Sequence, residues 1–142
     1  MAMNILRTMQ KDEDYHSWVK LLFREGPYDG TNVPAYPLRF PFPVRIQSPV
    51  IGGYLYLVYR GQIIGYGRIE QEQFHQGTTV GTEGQIVMSG SEVTIDGPLQ
   101  KMPFTVPCKG FQGFRYTDKN LHEIEKQSAL KEIRRLKLEP RV

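Results

Sequence analysis

Gly53 to Ile69 reads GYLYLVYRGQIIGYGRI, two runs of aromatic and branched residues around an Arg60-Gly61 corner, and no other stretch restricts the fold as much. Tyr54 to Tyr59 suit a pleated, mostly covered strand, and Ile63, Ile64, Tyr66 and Ile69 repeat that chemistry on the way back. The segment is therefore a hairpin in a packed or closed sheet. Gly65 and Gly67 lie two apart, hence on one face, where the missing side chains would admit another backbone, a base or a ligand.

At 142 residues the chain fits one domain with one core, burying roughly two thirds of the surface its unfolded form exposes. It has no apolar run of about 18 residues and no signal-peptide pattern, so a soluble, cytoplasmic protein without a membrane partner is expected. Cys108 is the single cysteine, which excludes an internal disulfide or a cysteine-based zinc site within one chain. His16, His75 and His122 lack metal-ligand spacing, so neither a metal nor another cofactor is expected.

The net charge of +3 is carried by the end of the chain. Lys131, Arg134, Arg135, Lys137 and Arg141 outweigh Glu132 and Glu139 there, leaving the preceding residues neutral. Inside that neutral part, no acid occurs between Asp29 and Glu70, where Arg39, Arg45, Arg60 and Arg68 stand. Gly97 to Thr117 likewise holds Lys101, Lys109 and Arg115 without a carboxylate. One face becomes positive if the fold joins these segments; otherwise they are scattered surface cations.

Tyr15, Trp18, Val19, Leu22 and Phe23 form the stripe of an amphipathic helix that Gly26-Pro27 ends. Pro34, Pro37, Pro41 and Pro43 then impose an extended, turning connection, a candidate rim whose Tyr36, Phe40 and Phe42 either face a partner or cover the sheet. Val44 to Ile46 begins the first strand, and the polar Gln71 to Gly84 reads as a mobile loop. Gln85 to Met88 and Glu92 to Ile95 read as two short strands about a Ser89-Gly90-Ser91 turn. Asp96-Gly97-Pro98 turns the chain, Phe104 to Val106 is a further strand, and Gly110 to Tyr116 is a glycine-punctuated corner. A helix with Asp118 as N-cap carries Leu121 and Ile124 inward, breaks near Ser128 and continues as a basic helical extension over 129–142. The domain is thus 1–128, with that extension as a solvated end or a docking arm.

Val50 to Val58 followed by Gln62 to Ile69 resembles the PUA-like superfamily, in particular its ASCH and EVE branches. Phe104 to Tyr116 and Leu121 to Ile124 match the strand, aromatic segment and helix with which those families close, so the likeness covers roughly 44–125. It implies an α+β fold: a small mixed β-barrel, the PUA-like pseudobarrel, with an N-terminal and a C-terminal helix. The Gly-x-Lys-x-x-Glu-x-Arg pattern of ASCH domains has no counterpart here, and Gly53 stands where EVE domains carry an acid, so no catalytic residue is carried over. The resemblance further implies a cleft beside the hairpin that binds RNA or a modified base. Its residues would be Arg39, Phe42 and Arg45 at the entry, Arg60 and Arg68 on the hairpin, and Phe111, Gln112, Arg115 and Tyr116 on the corner.

Nucleic-acid binding needs cations for phosphates, flat faces for stacking and paired donors and acceptors for a base edge. Lys109, Phe111, Gln112, Arg115 and Tyr116 supply all of these within a short span, unless the phenylalanines of that turn point inward. The expected partner is RNA or single-stranded or modified DNA. A protein partner docking on Ala129 to Val142 is the alternative. As an enzyme the chain offers only Glu70 and Glu72 with His75 nearby as an acid–base group for hydrolysis, and Cys108 without a local base.

Overall fold

The computed structural model describes residues 2–9, 23, 37–80, 86–111 and 113–136. Strands β1 (Asn4–Thr8), β3 (Tyr54–Tyr59), β4 (Gln62–Arg68), β7 (Gln100–Pro107) and β8 (Phe114–Thr117) form a five-stranded sheet in the order β7-β4-β3-β1-β8. Strands β2 (Leu38–Pro41), β5 (Gln71–Val80) and β6 (Ile86–Ile95) form a second sheet in the order β2-β6-β5. A C-terminal helix, α1 (Lys126–Arg135), completes a mixed α+β architecture in which, among the described residues, the ladders make two sheets and no closed barrel. The expected N-terminal helix over Tyr15 to Leu22 lies outside the described residues, as do Tyr36, Gln112 and the chain beyond Leu136.

The hairpin folds as its residues dictate. Arg60 at φ 50° and Gly61 at φ 80° form the two-residue corner whose twist suits β3 and β4. Leu55, Tyr56, Leu57 and Val58 are all buried because both faces of the five-stranded sheet are covered. Ile5, Leu55 and Leu57 pack against Leu38, Phe40, Val93 and Ile95 of the second sheet. On the opposite face, Leu6, Tyr56 and Val58 meet Leu121, Ala129 and Ile133.

Strand β1 has no counterpart among the expected elements, yet it sits between β3, to which it is parallel, and β8, to which it is antiparallel. Buried Asn4 pins this junction. Its Nδ2 donates to Lys119 O at 2.7 Å and Asn120 Oδ1 at 3.0 Å, while its Oδ1 accepts the Tyr54 N–H at 2.8 Å. Gly53 lies so close to the residue preceding this strand that a Cβ would fall 2.2 Å from Met3 O, which accounts for a glycine at this position.

Several expectations are corrected. Gly65 and Gly67 do not leave room for a ligand: a Cβ would meet the Phe23 ring at 2.5 Å in the first case and Ile95 at 2.8 Å in the second. Val44 to Ile46 is not a strand; β2 precedes it. Gln71 to Val80 is an edge strand rather than a loop, its polar residues reflecting an outer face open to solvent and its Gly77 (φ 63°) lying at a register shift between His75 and Thr78. Ser89-Gly90-Ser91 does not turn the chain but runs through the middle of β6. Gly90 is needed there because φ is 141° and a Cβ would stand 2.0 Å from Phe42 O. Asp118 caps no helix; α1 begins after Glu125, passes Ser128 without a break, and buries Ala129, Glu132 and Ile133. Thr117 Oγ1 donates to Glu132, whose carboxylate also accepts from Arg135 Nη2 at 2.9 Å, so the described part of the basic segment is docked.

Candidate functional site

Where β3 starts and β4 ends, the pairing sets Tyr66 opposite Tyr56 and Gln100, with Tyr54 opposite Arg68. The turn over Leu121 to Glu123, held by the Glu123 N–H donating to Asn120 O, lays His122 onto these rings. Tyr66 and His122 stack with centroids 3.9 Å apart and planes 16° from parallel. Tyr54 meets His122 edge-on at 4.5 Å. Tyr66 Oη donates to Gln100 Oε1 at 2.8 Å.

Beneath them, the buried Tyr56 hydroxyl is 2.7 Å from His122 Nδ1. Burial pushes the Tyr56 phenol well above its ordinary value, and hydrogen bonds from the backbone at His122 and Leu121 pull it partly back. The Glu123 carboxylate, an acceptor, faces His122 Nε2, so Nε2 carries the imidazole proton and Nδ1 accepts from the phenol. Burial also holds the His122 pKa below its ordinary value, against the opposing pull of Glu123. His122 is thus a neutral imidazole with Nε2–H outward, 3.5 Å from Glu123 Oε1. The Tyr66 phenol is raised too, by burial first and then by Tyr54 and Glu123.

Tyr54, Tyr66 and His122 wall a cavity of about 310 Å³ with Arg68, Glu70, Asp96, Gly97, Pro98 and Gln100. It combines aromatic rings, one guanidinium, one amide and two carboxylates. A larger hollow of about 590 Å³ follows the β4–β7 edge and is lined by Ile63, Ile64, Lys101, Met102, Phe104 and Phe23.

The expected cleft residues are dispersed. Arg39 is exposed on β2 opposite Thr94, and Arg45 spreads its guanidinium 4.7 Å from the Phe74 ring. Phe42 is only 2% exposed, packed edge-on against Phe114 at 5.1 Å, so it offers no face for stacking. Tyr116 is half-buried against the core, with its hydroxyl accepting the Gln47 N–H at 3.0 Å. Arg60, Lys109, Phe111 and Arg115 do gather at one end of the sheet. The Cys108 N–H donates to Gly61 O at 2.9 Å, the Phe111 N–H to Thr8 Oγ1 at 3.1 Å, and the Arg115 guanidinium lies 5.0 Å from the Phe111 ring. Arg68 is at the other end of β4, about 20 Å away along a strand of this length. Among the described residues expected to line the nucleic-acid cleft, Arg68 alone borders the aromatic cavity.

The hydrolytic group does not assemble either. Glu70 lines the cavity, whereas His75 lies on β5 with Nε2 buried, 3.8 Å from Glu92. Cys108 is buried, and burial pushes its thiol up to about 12, which leaves it inert. Among the described residues no group of three His, Cys, Asp or Glu is placed to hold a metal ion, and no helix is long and apolar enough to cross a membrane.

Tyr54, Tyr66, Asp96, Gln100 and His122 were not expected as site residues. Tyr54 and Tyr66 carried a usable signal, since pairing across the Arg60-Gly61 corner brings both to the end of the hairpin that bears Arg68. His122 carried none: it is 66 positions from Tyr56 and belongs to a turn that reads as helix. No family model, no curated protein and no solved structure matches this chain.

Proposed function

We propose that the protein is a non-catalytic nucleic-acid recognition module of the PUA-like type, which takes one splayed-out base into the cavity walled by Tyr54, Tyr66 and His122. The observation that carries this reading is that cavity. Aromatic rings give an apolar wall for a flat ring system, Arg68 at the end of β4 supplies a cation for a phosphate or a base edge, and Asp96 and Gln100 supply polar groups for an edge. A volume of about 310 Å³ admits a single nucleoside rather than a duplex, so the ligand is single-stranded or offers a flipped base. The hairpin of the resemblance and the mixed sheet built on it support the PUA-like reading of the fold. Arg60, Lys109 and Arg115 at the far end of the sheet are cations for the flanking backbone.

The test is fluorescence anisotropy of labelled single-stranded RNA and DNA at several salt concentrations. Binding should weaken with salt, and Arg68→Ala, an exposed position, should weaken binding and reduce the log–log salt slope by about one. Tyr66→Ala should weaken it with its fold verified by circular dichroism. Wild-type protein that binds neither polymer at low salt, or an Arg68→Ala variant with unchanged affinity and slope, would refute the reading.

A further inference from the structure

The cavity wall carries an unequal set of donors and acceptors. Gln100 Oε1 already accepts from Tyr66, so its amide nitrogen is the end left to donate, and Arg68 is donor-only. His122 Nδ1 is committed to Tyr56, which makes the imidazole a donor at Nε2. The strongest acceptors are the carboxylates of Asp96 and Glu70, which cannot donate when ionised.

A carboxylate repels any base edge that presents a lone pair and rewards two adjacent N–H donors with a bidentate pair. Guanine alone among the ordinary RNA bases has that arrangement, N1–H beside the N2 amino group. Adenine sets the N1 lone pair beside its amino group, cytosine sets N3 beside its own, and uracil flanks one N–H with two carbonyls. Guanine also offers O6 and N7 as paired acceptors, which suit an arginine fork or an amide N–H. Both halves of the wall therefore match one base.

We infer that the cavity selects guanine, with Asp96 or Glu70 accepting from N1–H and the N2 amino group, and Arg68 or the Gln100 amide donating to O6. This rests on the base-recognition reading above and fixes its ligand class.

The experiment uses labelled uridine pentamers whose central residue is guanosine, inosine, adenosine or cytidine, titrated by anisotropy against the full chain. The guanosine pentamer should bind about ten- to a hundredfold tighter than the adenosine pentamer, the value of one good bidentate pair, with inosine in between because it lacks the amino group. The Asp96→Asn/Glu70→Gln double variant, with both changes at exposed positions, should bring the guanosine and adenosine affinities together, read as their ratio so that the general gain from lost negative charge cancels. Equal affinity for all four pentamers, or a guanosine preference retained in the double variant, overturns the inference and leaves base recognition standing. Absence of binding to every pentamer overturns both.

Discussion

Replacing Tyr56 by Phe removes one hydroxyl from a fully buried ring and leaves its packing intact. The lost atom is the partner of His122 Nδ1 at 2.7 Å. The imidazole nitrogen then faces a desolvated site without a donor. A buried acceptor left unpaired costs about 1–3 kcal/mol, which in a chain of this size lowers Tm by roughly 3–10 °C. A second effect follows at the histidine. With no donor bound to Nδ1, the neutral form of His122 loses its specific stabilisation, so its pKa should rise toward the ordinary value. Thermal melts of both proteins measure the first effect. Titration of the histidine ring proton by NMR measures the second, with His16 and His75 as internal references. A Tm loss below about 2 °C together with an unmoved His122 titration would show that the hydroxyl is not the donor deduced above.

Acid should destabilise the protein in two steps. His122 is held neutral mainly by burial, so the unfolded chain takes up its proton first and stability falls as pH drops below about 6.5, until the folded His122 is itself protonated. Glu132 is held below the ordinary carboxylate range, first by its hydrogen bond from Arg135, so its contribution is present above about pH 4.3 and is lost as pH falls further. Denaturant melts across this range should show both steps, and Glu132→Gln should flatten the lower one. Gly90→Ala should destabilise by more than about 2 kcal/mol, whereas Gly97→Ala, with open space around its position, should stay within about 0.5 kcal/mol; equal effects would remove the close approach to Phe42 as the reason for the glycine. Native protein at pH 8 should leave Cys108 unreacted with a disulfide reagent until denaturant is added, because burial keeps the thiol protonated up to about 12; rapid native labelling would contradict that burial.

The parts of the fold that were legible are those in which neighbouring residues decide the structure. The Arg60-Gly61 corner and the runs beside it are local, and they fold as read. Gly90 was misread because a glycine flanked by serines is turn chemistry, while its real cause is the carbonyl of Phe42, just past the end of β2. Gln71 to Val80 was misread because an edge strand with a solvent face needs little apolar content. The arginines were visible as charges, and the hairpin as read already set Arg60 at its corner and Arg68 a strand length away, a separation that placing both around one groove passed over. The cavity was hidden because Asp96 and His122 join the hairpin's Tyr54 and Tyr66 only through sheet packing and the placement of the Leu121 to Glu123 turn.

Strand β1 has a consequence for biosynthesis. Its partners are β3 and β8, and the Asn4 bond to Lys119 spans 115 positions. A ribosome releases Asn4–Thr8 well before β8, and the segment that Asn4 bonds to leaves the exit tunnel 115 positions later. Ile5 and Leu6, fully covered in the finished molecule, spend that interval beside a bare strand edge. The five-stranded sheet therefore closes late, through contacts distant along the chain, and nascent protein should engage holdase chaperones until Thr117 has emerged.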